Sequence, residues 1–284
     1  MSKTALPKLV FFGDLQKQNV GQVIDEFAGF VKGKAQLIAS CGIDKCTVDI
    51  LGKADFAVVF GGDGTIISAA RQLSRMSVPV IGVNLGKLGF LAEFSVDELK
   101  EFFHRIISGE VVIEKRMMLG CEILRDSKEN FRSEAINDVF INAGPNFRTI
   151  ELKISVDGQP LAGCVSDGLV ISTPTGSTAY NLSAGGPILA GKMEAMVITP
   201  ICPHSLSFRP IVINADSTVE IFGVRLNDGT TVSIDGQIQH SLSIGDVVKV
   251  KKHKGEFLVV NNPLRTKWDT LAAKLSWAEK PKYE

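Results

Sequence analysis

The sequence predicts two domains of different class, an α/β domain with a parallel sheet followed by an all-β sandwich, and a final helix that returns to the first domain. Three observations support this fold. Up to about Val111, short apolar runs alternate with segments of helical periodicity, which is typical of helices covering a parallel sheet. Beyond Val111, alternating β-branched segments are broken by Asp-Gly dipeptides, and residues 267–277 are helical again. We expect the domains at 1–112 and 113–262, with the helical end at 263–284.

The composition is that of a globular protein with no bias toward anionic partners. The chain has 284 residues, 45% of them hydrophobic, and its 31 Lys and Arg balance its 31 Asp and Glu. This balance gives no reason to expect nucleic acid or a membrane surface as the partner. Apolar runs stay short of the roughly 18 residues of a membrane span, and the first residues lack the pattern of a signal peptide. We therefore expect a cytoplasmic protein.

Cysteine and histidine usage favours neither disulfides nor a metal centre. The five cysteines are odd in number and form no Cys-x-x-Cys pair, so reduced and mostly buried thiols are expected. The four histidines form no His-Glu-x-x-His motif. We therefore expect no metal site built from protein ligands.

The first domain is predicted as alternating strands and helices. Residues 8–12 form an apolar strand, and residues 20–31 carry a helical apolar stripe. A second strand, Phe56–Phe60, precedes a helix from Thr65 to about Arg75, and Val78–Val83 is a further strand. Since parallel α/β sheets bind ligands at the carboxyl ends of their strands, the residues after each strand are candidates for binding.

Helix caps and turn dipeptides complete the assignment. Ser95, with Glu98 three residues on, predicts a capping box for a helix that runs to Ile107. The final helix is amphipathic and is expected to pack on the first domain, because a lone helix of this length is unstable in water. Its apolar face carries Trp268, Leu271 and Leu275. Three dipeptides in the second domain predict tight hairpin turns: Asp157-Gly158, Asp228-Gly229 and Asp235-Gly236.

The strand Phe56–Phe60 runs into Gly61-Gly62-Asp63-Gly64-Thr65, the stretch around which the chain is organised. The glycines allow a sharp turn and let a ligand lie against bare backbone, and the following helix presents its N-terminus to phosphate oxygens. Asp63 is unexpected in a phosphate cradle because like charges repel. A carboxylate here better serves a hydroxyl or a metal ion beside the phosphates. The alternative is that Gly-Gly-Asp-Gly is only a tight turn between strand and helix.

Three further segments carry more small polar groups than a sandwich requires. Asn137 and Asp138 interrupt an apolar run, and the alternative to a site is a buried pair that satisfies nearby backbone. Residues 166–181 crowd hydroxyls around one aromatic ring, which suits a base and a ribose, although such loops often only cap their own backbone. Residues 200–210 contain His204, for which a satisfied loop histidine is the alternative.

Taken in order, these segments resemble the NAD kinase family over most of the chain, from about residue 56 to the C-terminal helix. Gly61–Thr65 is similar to the family's Gly-Gly-Asp-Gly motif, and Asn137-Asp138 is similar to its Asn-Glu/Asp motif. Thr173–Tyr180 resembles the family's most recognisable loop. Diacylglycerol and sphingosine kinases and phosphofructokinases share the glycine turn, so this turn alone leaves the substrate open. The loop Thr173–Tyr180 is the feature that favours NAD.

The resemblance implies transfer of the γ-phosphoryl group of ATP, with Mg²⁺ held through the nucleotide phosphates, to the 2′-hydroxyl of the adenosine ribose of NAD. It also implies a Rossmann-like domain joined to a β-sandwich, in a homodimer or homotetramer whose partner chains contribute to the sites. Asp63 would be the general base. The implied phosphate contacts are Gly61, Gly62, Gly64 and Thr65. The implied NAD contacts are Gly64, Asn137, Asp138, Asp167, Thr178, Ala179, Tyr180, Ser183 and His204.

Some choices stay open at the level of sequence. Val165 stands two residues before Asp167, where many bacterial members have Arg, so a strict preference for NAD over NADH is not implied. A lipid or sugar kinase with the same glycine turn is one alternative function, and a non-catalytic nucleotide-binding module is another. The phosphoryl donor is likewise open between ATP, another triphosphate and polyphosphate.

Overall fold

The structure is a computed structural model that describes residues 6–42, 46–86, 88–145 and 148–276. The chain divides into two compact units. Met1–Lys115 together with Phe257–Glu284 forms the first unit, and Arg116–Glu256 forms the second. The domain limits expected from the sequence stay a prediction. Within the described ranges, no helix has both the length and the apolar character needed to cross a membrane.

The first unit alternates strands and helices, as its sequence pattern indicates. Its strands are β1 (Lys8–Gly13), β2 (Gln36–Cys41), β3 (Phe56–Phe60) and β4 (Val80–Val83). Its helices are α1 (Gln18–Val31), α2 (Val48–Leu51), α3 (Asp63–Leu73), α4 (Val96–Ile107) and, from the end of the chain, α6 (Lys267–Leu275), with a 3₁₀ turn at Ser74–Met76. The alternation gives one parallel sheet covered by helices.

The parallel sheet of the first unit has the strand order β2-β1-β3-β4. The carboxyl ends of its central strands are in register, with Gly13 opposite Phe60 and Phe60 opposite Val83. Aromatic rings fill the core between this sheet and its helices: Phe27 of α1 lies 5.5 Å from Phe60 and 5.9 Å from Phe103 of α4, centroid to centroid. The residues that follow β3 and β4 therefore leave the sheet side by side at one edge.

Local signals placed most of these elements correctly. The capping box of α4 is present, because Ser95 Oγ accepts from the Glu98 N–H at 3.2 Å and Glu98 Oε2 accepts from the Ser95 N–H at 2.8 Å. Sequence reasoning missed β2 and the short helix α2. β2 reads Gln-Leu-Ile-Ala-Ser-Cys and is partly exposed at the edge of the sheet, so it shows neither a continuous apolar run nor a strict alternation.

The first unit also holds a disulfide that was not predicted. Cys41, the last residue of β2, is bonded to Cys46, and their Cα atoms are 5.6 Å apart. The expectation of reduced thiols is therefore wrong for this pair, because the fold brings together two cysteines whose spacing matches no motif. Cys121 and Cys164 are free and buried. Burial, and then the charge of Glu122, raises the pKa of the Cys121 thiol to about 12.

The C-terminal helix belongs to the first unit, as predicted, and polar contacts anchor the segment before it. Asn262 donates to the carbonyl of Glu93 at 2.9 Å, and the Arg265 guanidinium pairs with the Glu98 carboxylate. Of the predicted apolar face, Leu271 is buried and Leu275 is half-buried, as expected. The prediction was wrong for Trp268, which is 68% exposed, and Thr270 is the second buried residue of the helix.

The second unit is built almost entirely of strands. They are β5 (Ile113–Arg125), β6 (Lys128–Ala135), β7 (Asp138–Asn142), β8 (Ile150–Val156), β9 (Gln159–Ser166), β10 (Gly168–Ser172), β11 (Ala195–Ile201), β12 (Ile211–Asn214), β13 (Val219–Arg225), β14 (Thr231–Ile234), β15 (Ile238–Ser241) and β16 (Val247–Val260). A 3₁₀ turn at Gly176–Thr178 and the short helix α5 (Tyr180–Ser183) follow β10. The first residues of β5 and the last of β16 lie in the first unit.

Two antiparallel sheets pack face to face in the second unit. One has the order β12-β11-β10-β7-β14-β15, and the other contains β16-β13-β8-β9 with the hairpin of β5 and β6. Their inner faces supply one continuous apolar core, with Ile154 and Ile221 from one sheet and Ile171 and Val232 from the other. The predicted fold class, an α/β domain with a β-sandwich domain, is confirmed.

Two of the three predicted hairpin turns are present. Asp157-Gly158 joins β8 to β9 and Asp235-Gly236 joins β14 to β15, both with positive φ at each residue, as a type I′ turn requires. The prediction for Asp228-Gly229 was wrong: β13 and β14 lie in different sheets, so this turn carries the chain from one sheet to the other. The turn Asp126-Ser127 between β5 and β6 was missed because it contains no glycine.

Candidate functional site

The glycine turn of the first unit joins β3 to α3. The helix begins at Asp63, two residues earlier than predicted, with Gly62 as its N-cap. The Gly61 N–H donates to the Val83 carbonyl at 2.9 Å, which ties the turn to β4. A Cβ at Gly61 would lie 2.6 Å from Thr65 Oγ1, whereas a Cβ at Gly62 would meet nothing within 4 Å. Gly62 therefore presents open backbone at the N-terminal end of a helix, where phosphate oxygens bind favourably.

The carboxylate of Asp63 reaches from this turn to the segment that follows β4. Its Oδ1 accepts from the N–H groups of Leu91 at 2.9 Å and Ala92 at 3.1 Å, and its Oδ2 accepts from the Phe90 N–H at 2.9 Å. A carboxylate offers about four lone-pair positions, and the described residues use three of them, which leaves one for a further donor. Sequence reasoning placed both segments at the carboxyl edge of the sheet but did not predict this contact.

Two glycines make room for the approach. A Cβ at Gly89 would lie 2.1 Å from Asp63 Oδ1, and a Cβ at Gly82 would lie 2.2 Å from the Leu91 carbonyl oxygen. Asn84 holds the same segment from β4, since its Nδ2 donates to the Phe94 carbonyl at 2.9 Å. The position of the Asp63 carboxylate is therefore set by a packed and hydrogen-bonded surface.

In the second unit, the Asn137-Asp138 motif and the loop after β10 pack on each other. The Thr173 N–H donates to the Asn137 carbonyl at 2.8 Å, and Thr173 Oγ1 donates to the Ile136 carbonyl at 2.7 Å. A Cβ at Gly176 would lie 2.1 Å from the Asn137 carbonyl oxygen. The structure therefore brings together two of the motifs that the sequence placed far apart in the chain.

Most hydroxyls of this loop bind its own backbone, as the alternative interpretation held. Thr173 Oγ1 accepts from the Gly176 N–H at 3.0 Å, and Ser177 Oγ donates to the Pro174 carbonyl at 2.6 Å. Thr175 is the exception. Its hydroxyl is buried and has no hydrogen-bond partner in the part of the chain that the structure describes. A buried hydroxyl without a partner is unfavourable, so this group is available for a hydrogen bond to a ligand atom or an ordered water.

The residues that follow the loop form a partly exposed surface. Thr178 and Ala179 are half-buried, and Ser183 is exposed at the end of α5. The ring of Tyr180 is 43% exposed and packs edge-on against Phe140, with 4.8 Å between centroids. An exposed ring supported in this way can stack on a planar ligand.

Asn181 positions this surface, and sequence reasoning gave it no role. It is fully buried, accepts from Thr199 Oγ1 at 2.7 Å, and donates to the carbonyls of Ser177 and Pro187, each at 3.1 Å. The signal that could have identified it is an amide in the middle of a hydroxyl-rich loop, where it can satisfy several backbone groups at once.

Asp138 is the most strongly perturbed acid of the second unit. It is 5% exposed, and burial, followed by the negative charge of Asp235, raises its pKa to about 7. Ser172 lies opposite Asp138 on β10 and offers no positive charge. Such a carboxyl changes its charge near neutral pH, which is typical of functional sites. Asp235 was seen in the sequence only as part of a turn.

Asp167 and His204 lie elsewhere on the second unit. Both side chains are exposed, and their backbones meet near one corner, where the His204 N–H donates to the Val165 carbonyl at 2.9 Å. Asp167 precedes β10 and Thr173 follows it, so roughly 20 Å of strand separates Asp167 from the Asn137-Asp138 motif. The structure therefore does not bring Asp167 and His204 to that motif within one chain.

The described residues contain no group of three His, Cys, Asp or Glu side chains arranged to hold a metal ion. Mg²⁺ is commonly bound through substrate phosphates and water with one or two carboxylates, and this chemistry needs no larger protein cluster. The donors present therefore fit a metal ion that arrives on a nucleotide.

In comparisons with known proteins, each half of the chain matches a domain of one enzyme family. A family described as the ATP-NAD kinase N-terminal domain matches residues 46–111, and the ATP-NAD kinase C-terminal domain matches residues 136–262. The NAD kinase of Geotalea daltonii is 40% identical over 241 residues, covering 85% of each chain. The NAD kinase of Rhodopirellula baltica is 36% identical over 273 residues, covering 96% of this chain and 87% of that one.

Solved structures of related kinases have the same fold as this chain. Yeast NADH kinase complexed with NADH superimposes with a TM-score of 0.87 at 26% identity, covering 99% of this chain and 91% of that one. An NAD kinase from Archaeoglobus fulgidus in complex with ATP gives a TM-score of 0.77 at 21% identity, covering 95% and 98%, which supports the fold. The resemblance of the motifs is thus confirmed, and the chain belongs to the NAD kinase family.

Proposed function

We propose that this chain transfers the γ-phosphoryl group of ATP to the 2′-hydroxyl of the adenosine ribose of NAD, giving NADP and ADP. The observation that carries this proposal is the carboxylate of Asp63, seated at the N-terminus of α3 beside open glycine backbone, in a chain of the NAD kinase family. A family match across both halves of the chain favours NAD over a lipid or sugar acceptor.

Asp63 is the proposed general base. Its remaining lone-pair position accepts the hydroxyl proton as the bond from the ribose 2′-oxygen to the γ-phosphorus forms and the bond to the β,γ-bridging oxygen of ATP breaks. A loose phosphoryl transition state needs little activation of the nucleophile, so one well-placed carboxylate suffices. Mg²⁺ on the nucleotide would neutralise charge on the phosphates. The proposed phosphate contacts are Gly61, Gly62, Gly64 and Thr65. Since the Gly61 N–H is bonded to the Val83 carbonyl, Gly61 would allow close approach of the phosphates and would not donate that N–H to them.

The proposed NAD contacts follow from the second unit. Asn137 and Asp138 would bind the ribose or adenine, and Tyr180 with Thr178, Ala179 and Ser183 would surround the adenine. The partnerless Thr175 hydroxyl, which sequence reasoning did not select, supports a ligand at this loop. Against a non-catalytic module stands Asp63, because a site that only binds phosphates gains nothing from an acid.

Asp167 and His204 are proposed to act on the nicotinamide end of an NAD molecule bound mainly to another subunit of a homodimer or homotetramer. The length of β10 between Asp167 and the Asn137-Asp138 motif supports this arrangement. Mixing the Asn137→Ala and Asp167→Ala variants, each of which is expected to be inactive alone, tests it. Partial recovery of activity is expected, since mixed oligomers would contain some sites with both residues intact, and no recovery would contradict shared sites.

NAD with its nicotinamide in either oxidation state is proposed as the acceptor, because Val165 places no charged group two residues before Asp167. Comparing kcat/KM for NAD and NADH tests this, and a preference above about a hundredfold for either would contradict it. The cytoplasmic location stays a prediction.

The main experiment is to incubate the purified protein with ATP, Mg²⁺ and NAD and to detect NADP. Omission of Mg²⁺ and replacement of NAD by diacylglycerol, sphingosine or fructose 6-phosphate are the matched controls. Turnover of any of these alcohols at a rate comparable to NAD would support the alternative kinases. Binding of NAD without transfer would support the non-catalytic module.

A further inference from the structure

The turn between β14 and β15 places a carboxylate against the backbone of the Asn137-Asp138 motif. Oδ1 of Asp235 lies 2.7 Å from the nitrogen of Asn137 and 3.2 Å from that of Asp138, and Oδ2 lies 3.1 Å from the nitrogen of Ile136. The N–H of Asp235 donates in return to the Asp138 carbonyl at 3.0 Å. One turn residue therefore holds the segment that enters β7 at four points.

The turn by itself does not require an aspartate. Asp235 and Gly236 have φ values of 52° and 67°, which define a type I′ turn, and asparagine or glycine would suit the first position equally well. Asparagine, however, has one acceptor oxygen on its side chain, and glycine has none. Only a carboxylate supplies two acceptor oxygens to three successive N–H groups. The register places it there, since Ile234 pairs with Val139 and the next residue comes beside Asp138.

We propose that Asp235 is a positioning residue for the phosphorylation of NAD, because its carboxylate holds residues 136–138 in the arrangement from which Asn137 and Asp138 bind the adenosine ribose. The inference rests on the proposed function. Asp235 acts through the peptide groups of the motif and is not itself assigned a contact with the substrate. Asp235 is not part of any motif by which the family was identified, so this role adds a residue to the proposed site.

The carboxylate has a second effect, on the charge of the motif. Ser172 of β10 lies opposite Asp138 in the sheet and does not titrate, and Ile234 of β14, opposite the next residue Val139, does not titrate either. Among the residues that the structure describes, Asp235 is the charged group whose field raises the pKa of Asp138. Removing that charge leaves burial alone to raise the pKa, so Asp138 ionises at lower pH. The pH profile therefore reports the charge that Asp235 places beside Asp138, and KM for NAD reports the position of the motif.

Asp157 is a matched control in the same unit. It occupies the first position of the other Asp-Gly hairpin with φ of 52°, its Oδ1 accepts from the Thr218 N–H at 2.8 Å, and its own N–H donates to the Thr218 carbonyl at 2.9 Å. It therefore has the same turn type and the same kind of cap, but it holds a segment that contains no proposed substrate contact.

The experiment compares the full-length Asp235→Asn and Asp157→Asn variants with the wild type in steady-state kinetics and in chemical unfolding. For Asp235→Asn we expect kcat/KM for NAD to fall about tenfold to a hundredfold, as for a small misplacement of a binding group, while KM for ATP changes less than about twofold. In the plot of kcat/KM for NAD against pH, the change that occurs near neutral pH should move to lower pH. Asp157→Asn should retain wild-type kinetics and an unchanged profile.

The outcomes separate the two levels of inference. If the wild type forms no NADP, the proposed function fails first. If it forms NADP and Asp235→Asn matches Asp157→Asn in KM for NAD and in pH profile, Asp235 is only a turn cap and the inference is overturned. Should Asp235→Asn fail to fold, Asp235→Glu keeps the charge but moves the carboxylate by one methylene. We then expect a raised KM for NAD with the pH profile retained, and wild-type values of both would overturn the inference.

Discussion

A Cβ at Gly89 would lie 2.1 Å from Oδ1 of Asp63, closer than any real pair of these atoms can come. The carboxylate at the start of α3 therefore lies directly against the bare backbone of a residue that follows β4. Three hydrogen bonds from the next residues fix it there. The proposed base thus also connects two loops at the edge of the sheet.

Gly89→Ala should lower NADP formation at least about tenfold, because the new methyl group must displace the carboxylate or the loop. Gly86→Ala is the matched control, since a Cβ there meets nothing within 4 Å and activity should stay within about twofold. Steady-state rates with NAD and ATP are the measurement. Equal rates for the two variants would mean that the reaction does not need the observed position of the Asp63 carboxylate.

Asp63→Asn should abolish most NADP formation and leave NAD binding within a few-fold, because the amide cannot take the hydroxyl proton. Asp55→Asn is its control in the same unit: Asp55 Oδ2 accepts from the Lys8 N–H at 2.7 Å, near the opposite end of the strand β3. That variant should keep its activity. NADP formation and calorimetric binding of NAD are measured for both, and retention of most activity by Asp63→Asn removes Asp63 as the base.

Thr175→Val should leave stability unchanged within about 1 kcal/mol, since its hydroxyl has no partner to lose among the described residues. KM for NAD should rise, because the ligand atom proposed to bind the hydroxyl loses its partner. Thr173→Val is the contrasting variant, because it leaves the Ile136 carbonyl and the Gly176 N–H unpaired and should cost about 1–3 kcal/mol. Urea unfolding and kinetics distinguish the two, and equal destabilisation would contradict the assignment.

The pH dependence of stability should report on Asp138. Its pKa is about 7 in the folded protein against an ordinary value of 3.8, so the folded state keeps a proton that the unfolded state has released between these values. The stability that this proton contributes is present at low pH and is lost as the pH rises toward 7. Relative to wild type, Asp138→Asn should therefore gain on the order of a few kcal/mol in free energy of unfolding between about pH 4 and 7. A difference that does not vary with pH would contradict the raised pKa.

Two adjacent asparagines should differ in their effect on the C-terminal anchor. Asn262→Ala should destabilise the protein by about 3 kcal/mol, because it removes a buried hydrogen bond to the Glu93 carbonyl and a partly buried one from the Leu264 N–H. Asn261→Ala should cost less than about 1 kcal/mol, since Asn261 donates only at 3.3 Å to Glu114 and its side-chain oxygen is buried with no partner in the described chain. Chemical unfolding measures both, and equal losses would show that these contacts do not set the stability of the anchor.

Much of the architecture was predictable because its signals are local. The apolar run Phe56–Phe60, the capping box of Ser95 and Glu98, and the Asp157-Gly158 turn each act over a few residues, and the structure has all three. The errors come from the same restriction. Asp228-Gly229 has the residues of a hairpin turn, but which sheet the next strand joins is decided by the core and not by the dipeptide.

The sequence by itself determined the fold class, the glycine turn and the motifs that identify the family, because these depend on residue types at short spacing. Only the tertiary structure decided that Asp63 binds residues 27 to 29 positions away and that Asp235 binds residues 97 to 99 positions away. Hydrogen bonds of this range form between strand ends that the folded sheets bring together, and no local pattern records which ends will meet.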